Sequence, residues 1–201
     1  MKEIKNFIKE FFSDSNLDEF YPIYPNKIHL RFELGGNYKN GSKKRINQAF
    51  DRVSFLFNEI FPDLNEEIWV LINEYRETKL IISSQKYLYT LFDKSVKFKS
   101  KLSETGDPDE KIKFIQRFSK LFIKNVDYEK ILKGIINSEQ GKKPSIGETI
   151  IFISPNRKLV FFLYDDRGCV IYANESVQLK NLLMEKKSWV IDSYGMRPSS
   201  K

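Results

Sequence analysis

Between Thr149 and Asn174 three short apolar runs follow one another with almost no chain between them. Thr149–Ile153, Leu159–Asp165 and Cys169–Asn174 are rich in Ile, Val, Phe and Leu, the composition of strands that pack a pleated surface. Their two connections, Ser154-Pro155-Asn156-Arg157 and Asp165-Asp166-Arg167-Gly168, are made of turn residues. A parallel crossover needs a dozen or more residues, so strands joined this tightly pair antiparallel. The chain must therefore contain a three-strand meander, and the rest has to extend it or pack on it.

The remaining segments supply both kinds of partner. Residues 2–12 place Ile4, Phe7, Ile8, Phe11 and Phe12 at helical spacing, and Ser13 to Asn16 stop that helix with turn chemistry. Pro22 and Pro25 mark an irregular stretch. Ile28–Leu34 alternates as a strand, with Ile28, Leu30, Phe32 and Leu34 on one face and His29, Arg31 and Glu33 on the other. A helix over 42–60, capped by Ser42, carries Ile46, Ala49, Phe50, Val53, Phe57 and Ile60 as one stripe and ends before Pro62. Glu67–Tyr75 reads as a strand buried on both faces. The middle reads as helical: a short helix over Ser83–Phe92, a lysine-rich connection over Lys94–Pro108 broken by Gly106-Asp107-Pro108, and helices over 109–124 and 127–137, the last capped by Asp127. Gly141–Gly147 is a loop. A helix over 175–187 presents Val177, Leu179, Leu182, Leu183 and Lys186, and Trp189 and Ile191 return as a short extended segment. The expectation is α+β: a single domain over 1–194 with an antiparallel or mixed sheet of about five strands, helices packed on it, 83–137 as a helical lobe, and 195–201 as a frayed tail. No internal repeat or low-complexity stretch interrupts this reading.

Composition narrows the chemistry. With 201 residues, a net charge of +7, one Cys and one His, the chain can bury a core without disulfides. Cys169 alone cannot form an internal disulfide, which fits a reducing compartment. His29 and Cys169 cannot build a Cys/His zinc site, and any Ser–His–Asp or Cys–His mechanism would have to run through His29. The charged N-terminal helix is no secretory leader, and no run has the length of a membrane span. The expectation is a cytoplasmic protein.

Three sets of residues carry candidate chemistry. Asp165 and Asp166 could bind a divalent cation or a partner's basic residue, with Arg167 beside them, but turn chemistry alone accounts for them: Asp for side-chain bonds to the backbone, Gly168 for positive φ. Arg31 and Glu33 share a strand face with His29, and a sheet that gathered Glu33, Glu74, Asp165 and Asp166 at one end would make a carboxylate cluster. The third set is basic. Residues 86–124 hold ten Lys and Arg against five Asp and Glu, so this stretch carries +5 of the total charge, with Phe98, Phe114 and Phe118 interleaved. No helix-turn-helix, RRM or KH pattern accompanies it. Gly141-Lys142-Lys143-Pro144-Ser145 lacks the glycine spacing of a phosphate loop.

Three segments together, Leu30-Arg31-Phe32-Glu33-Leu34-Gly35, the run Trp69–Tyr75 and Tyr164-Asp165-Asp166-Arg167-Gly168-Cys169, give the chain a resemblance to the bacterial domain-of-unknown-function family three-eight-eight-five, over roughly residues 15–192 by motif placement. The final helix followed by Trp189-Val190-Ile191-Asp192 is similar too. The resemblance implies a fold and no activity.

The functional expectation is a non-enzymatic, cytoplasmic protein-binding module without cofactor or metal. It would occlude an acidic partner, as a toxin-neutralising immunity protein does, with Lys111, Lys113, Arg117 and Lys120 steering association along a helix face. Two alternatives stand beside it. One is a metal-dependent phosphodiester hydrolase using Glu33, Glu74, Asp165 and Asp166. The other is nucleic-acid binding through 86–124. No membrane partner is expected.

Overall fold

In the computed structural model, which describes residues 2–12, 28–75, 86–106 and 111–196, the meander forms as its short turns require. Strands β5 (Thr149–Ser154), β6 (Leu159–Asp165) and β7 (Gly168–Ala173) pair antiparallel in succession. The sheet then grows on both sides. Beyond β7 lie β1 (His29–Glu33) and β8 (Val190–Tyr194). Beyond β5 lie β2 (Glu67–Tyr75), β4 (Ile112–Phe122) and β3 (Lys99–Thr105). The order is β3-β4-β2-β5-β6-β7-β1-β8, eight strands where about five were expected, and every pairing is antiparallel.

Helices cover the two faces unequally. One face carries α2 (Lys43–Ile60), α3 (Tyr128–Glu139) and α4 (Val177–Glu185) over a large core that includes Leu30, Phe32, Val70, Ile72, Phe152, Phe161 and Ile171. The caps match the sequence: Ser42 accepts from the Arg45 amide at 3.2 Å and Asp127 from the Lys130 amide at 3.2 Å. Phe57 of α2 meets Phe152 and Phe161 edge-on, with ring centres 5.1 and 5.3 Å away, and stacks on Tyr128 of α3 at 4.5 Å. In α4, Leu179 and Leu182 are buried but Val177 is exposed. The other face holds α1 (Lys2–Phe11). Its Ile4, Phe7 and Ile8, with Phe12 just after it, are buried against Trp69, Leu71, Phe118, Ile153 and Phe162, so the apolar stripe of this helix is spent on its own sheet. No helix among the described residues is long and apolar enough to cross a membrane.

The middle of the chain corrects the helical expectation. Residues 112–122 are strand β4, paired along its length with β2, and 99–105 are the edge strand β3. Tyr87–Leu91 is a 3-10 turn where a helix over Ser83–Phe92 was expected; 83–85 lie outside the described residues. The expected helix stripe of Ile112, Ile115, Phe118 and Phe122 is divided between the two faces of a strand, because side chains of a strand alternate. Two buried polar residues hide that alternation: Gln116 bonds Asn73 at 3.1 Å, and the Ser119 hydroxyl donates to the Lys97 carbonyl at 2.9 Å. The stops at 13–16, Pro22, Pro25, Asp107-Pro108 and the tail from 197 lie outside the described residues.

Candidate functional site

The antiparallel registers bring the last residues of β1, β2 and β6 and the first residues of β5 and β7 to one end of the sheet. Glu33, Glu74, Asp165 and Asp166 therefore share that end, as a carboxylate cluster would require. They do not converge. Neighbouring strands lie about 4.8 Å apart, so Glu74 on β2 stands two strands from Asp165 and four from Glu33. Among the described residues no three His, Cys, Asp or Glu side chains meet as a metal site would need.

Each carboxylate has its own partner instead. Asp165 accepts from the Arg167 amide at 2.7 Å and from the Arg167 guanidinium, closing the turn as the sequence suggests. Asp166, almost wholly buried, pairs with Arg45, itself buried at the start of α2. Arg45 also donates to the carbonyls of Gly36 (3.0 Å) and Tyr38 (3.2 Å). One guanidinium thus fastens the β6–β7 turn, the loop after β1 and the first turn of α2. Glu33 accepts from the Gly36 amide at 2.8 Å, and its own carbonyl takes a bond from Arg52 at 2.9 Å. Sequence reasoning missed Arg45, yet a signal existed: it lies four residues before Ala49 and eight before Val53, on the apolar stripe of its helix.

Gly168 has a different reason from the expected positive φ, since it is not among the glycines with left-handed backbone. The Tyr164 ring crosses over it. A Cβ there would stand 2.5 Å from the Phe32 carbonyl oxygen and closer still to the Tyr164 hydroxyl. By crossing β7 at this point, Tyr164 reaches Arg31 on β1, whose Nε donates to the hydroxyl at 3.1 Å while the guanidinium lies 5.4 Å from the ring centre. Burial, more than the opposing Arg31 bond, raises the Tyr164 phenol.

A second polar assembly unites residues that the sequence placed in separate sets. Glu74 accepts bonds from Arg117 of β4 (2.5 Å), from Lys86 (2.9 Å) and from the Tyr89 hydroxyl. Lys86 also reaches Glu148 at 2.8 Å, and Arg117 donates to Ser100 at 2.9 Å. Burial alone would raise the Glu74 carboxyl, but the three donors outweigh it and hold the group below its ordinary value. The Tyr89 phenol is pushed far up, by burial first and by the Glu74 carboxylate second. These groups clamp the Tyr87–Leu91 turn to β2 and β4.

The expected steering residues divide in the same way. Arg117 faces the α2 side and is engaged with Glu74, whereas Lys120 faces the α1 side, pairs with Glu3 and lies 5.2 Å from the Trp69 ring centre. Lys111 pairs with Glu104 at 3.3 Å across the β3–β4 ribbon, and Lys113 is exposed. His29 is buried with Nε2 3.8 Å from the Asp192 carboxylate, and Cys169 is fully buried, which pushes its thiol well up.

The chain is similar to "Uncharacterized protein YnaE" of Bacillus subtilis (strain 168), 23% identical over 210 residues that cover 92% of this chain and 95% of that protein. No solved structure matches it. A family model, described as a domain of unknown function, matches residues 4–194, from α1 to the end of β8. The chain therefore belongs to the DUF3885 family.

Proposed function

We propose that this protein is a non-enzymatic binding module of the cytoplasm that occludes an acidic protein partner, in the manner of a toxin-neutralising immunity protein. The observation that carries the reading is a contrast between the β6–β7 end of the sheet and its β3–β4 edge. The carboxylates of the β6–β7 turn, Asp165 and Asp166, are buried and bound to Arg167 and Arg45, which gives them structural work. The β3–β4 ribbon at the sheet edge is turned outward. Its α1 side carries Lys99, Lys120 and the exposed Ile112, and its other side carries Lys113 and the exposed Leu102, with Lys111 beside Glu104. Cations interspersed with exposed apolar side chains along an edge ribbon suit a protein surface of opposite charge.

The test is capture of partners from native lysate by the full chain, with and without nuclease, in parallel with a variant carrying Lys111→Glu, Lys113→Glu and Lys120→Glu. Arg117 is left intact because it holds Glu74. A nuclease-resistant protein bound by the parent and released by the variant is the expected result. Binding unchanged by charge reversal, or recovery only of nucleic acid lost on nuclease treatment, contradicts the reading.

A further inference from the structure

We propose that the outer edge of β3 is a strand-addition site, where an extended acidic segment of the partner protein pairs as one further strand of the sheet. This rests on the binding-module reading and names how the basic ribbon holds its partner. Among the described residues β3 pairs on one side only, with β4, and ends the sheet. Alternate residues of a strand turn their N–H and C=O groups to opposite edges, so one set along Lys99–Thr105 points away from β4. The register with β4 runs unbroken from Lys99 opposite Phe118 to Thr105 opposite Ile112, and the strand contains no proline. The donors and acceptors of that edge therefore keep a regular spacing, with no bulge to twist them aside.

The two open edges of the sheet are not equivalent. At the other end β8 has five residues against seven, its register with β1 shifts between Arg31 and Phe32, and its charged side chain is the exposed Asp192. An acidic strand would meet like charge there. On β3 the charge has the opposite sign and is sorted by face. Lys99 and Lys101 stand opposite Phe118 and Gln116 and so lie on the α1 side, and Lys99 is exposed. Glu3 of α1, which feels the Lys99 charge, is bonded to Lys120 instead. On the other side Leu102 is 59% exposed. Glu104, the one acid of the strand, is already paired with Lys111 at 3.3 Å and lies across from Lys113.

Lysines on an edge strand ordinarily keep other edges away. They repel a basic strand and gain nothing from a neutral one, but an acidic strand pairs with them. The residues that bar indiscriminate pairing thus select this partner. Its sequence pattern follows from the faces: Asp or Glu on the α1 side, along the row of Lys99, and apolar side chains on the other, beside Leu102. In strand addition the main-chain bonds give affinity and the alternate side chains give specificity. Nucleic acid offers no amide ladder to such an edge, and β3 carries no arginine to clamp phosphate.

The experiment selects a phage-displayed library of short random peptides on the full chain and on two variants, Lys99→Glu and Leu102→Lys, whose fold is verified by circular dichroism and thermal melting. The expected peptides alternate Asp or Glu with apolar residues, and both variants weaken them by about tenfold or more. The best peptide is then synthesised with alternate amides N-methylated, one form for each of its edges. One form loses binding and the other keeps it, and the unmodified peptide slows amide exchange at alternate residues of Lys99–Thr105. Acidic peptides without alternation, methylated forms that both bind as well as the unmodified peptide, protection at β8 in place of β3, or no enrichment at all overturn the inference. Dimerisation of the chain alone that Leu102→Lys abolishes assigns the edge to a second copy and overturns it too. Lysate capture that stays sensitive to Lys111, Lys113 and Lys120 while no peptide adds to β3 would reject this inference and leave the binding-module reading standing.

Discussion

At the residue scale, the most distinctive motif of the chain explains the fold before it explains anything else. Asp166 and Arg45 are both buried, and removing one member of such a pair strands the other charge in a poor solvent. Asp166→Ala is expected to lower the unfolding free energy by about 3 kcal/mol or more, and Asp166→Asn by less because it keeps an acceptor for the guanidinium. Denaturant titration of the two variants checks the order. Gly168→Ala forces a methyl group against the Phe32 carbonyl and the Tyr164 ring, for an expected loss of about 1–3 kcal/mol; a melting temperature equal to that of the parent would refute the crossing of Tyr164 over β7. Glu74 adds a pH signature. Its folded carboxyl lies below the ordinary value of 4.5, so its contribution is fully present above that value and is lost as pH falls through the folded one. Glu74→Gln should be less stable than the parent near neutrality, and the gap should close as acidification carries the pH below the ordinary carboxyl value and through the folded one. Parallel stability curves would show that the network does not hold the ionised form. The turn role of Asp165 was legible in the sequence because it is local. The partners of Asp166 and Glu74 were not, since Arg45 and Arg117 reach them from far along the chain.

At the element scale, legibility followed the cleanness of the periodicity. The meander, the strand Glu67–Tyr75, the Ser42-capped helix and the Asp127-capped helix were readable because burial on these elements is apolar and regular. Strands β3 and β4 were not. Lys99–Thr105 is polar apart from Leu102, as suits an edge strand protected by charge, and it offers little strand composition to detect. In β4, buried Gln116 and Ser119 and exposed Ile112 and Phe122 invert the usual correspondence between polarity and exposure. Its β-branched and aromatic content was the signal that pointed the other way. Helix α1 was predicted correctly and its cover role can be measured. Phe7 packs edge-on against Trp69 with centres 5.3 Å apart, so Phe7→Ala should cost about 3 kcal/mol and quench or shift the Trp69 fluorescence. A change within about 0.5 kcal/mol would mean that the helix does not rest on the sheet.

At the scale of the whole molecule, charge and fold divide the labour. The β6–β7 end uses its charges in pairs that tie α2, β1 and β6 together, whereas the basic excess of 86–124 lies on the ribbon and loop at the opposite edge of the sheet. The sequence located that excess correctly but put it on a helix face, and a helix would have aligned Lys113, Arg117 and Lys120 that the strand distributes over two sides. The proposal of an acidic partner does not depend on a helix, since a basic ribbon would steer one as well as a basic helix would. The most direct test is amide hydrogen exchange of the full chain, alone and bound to the protein it captures from native lysate. The account predicts slowed exchange on β3 and β4, with the β6–β7 turn unchanged. Protection centred on Asp165–Gly168 and the end of β1, with the ribbon unaffected, would contradict it and return the motif residues to the functional surface.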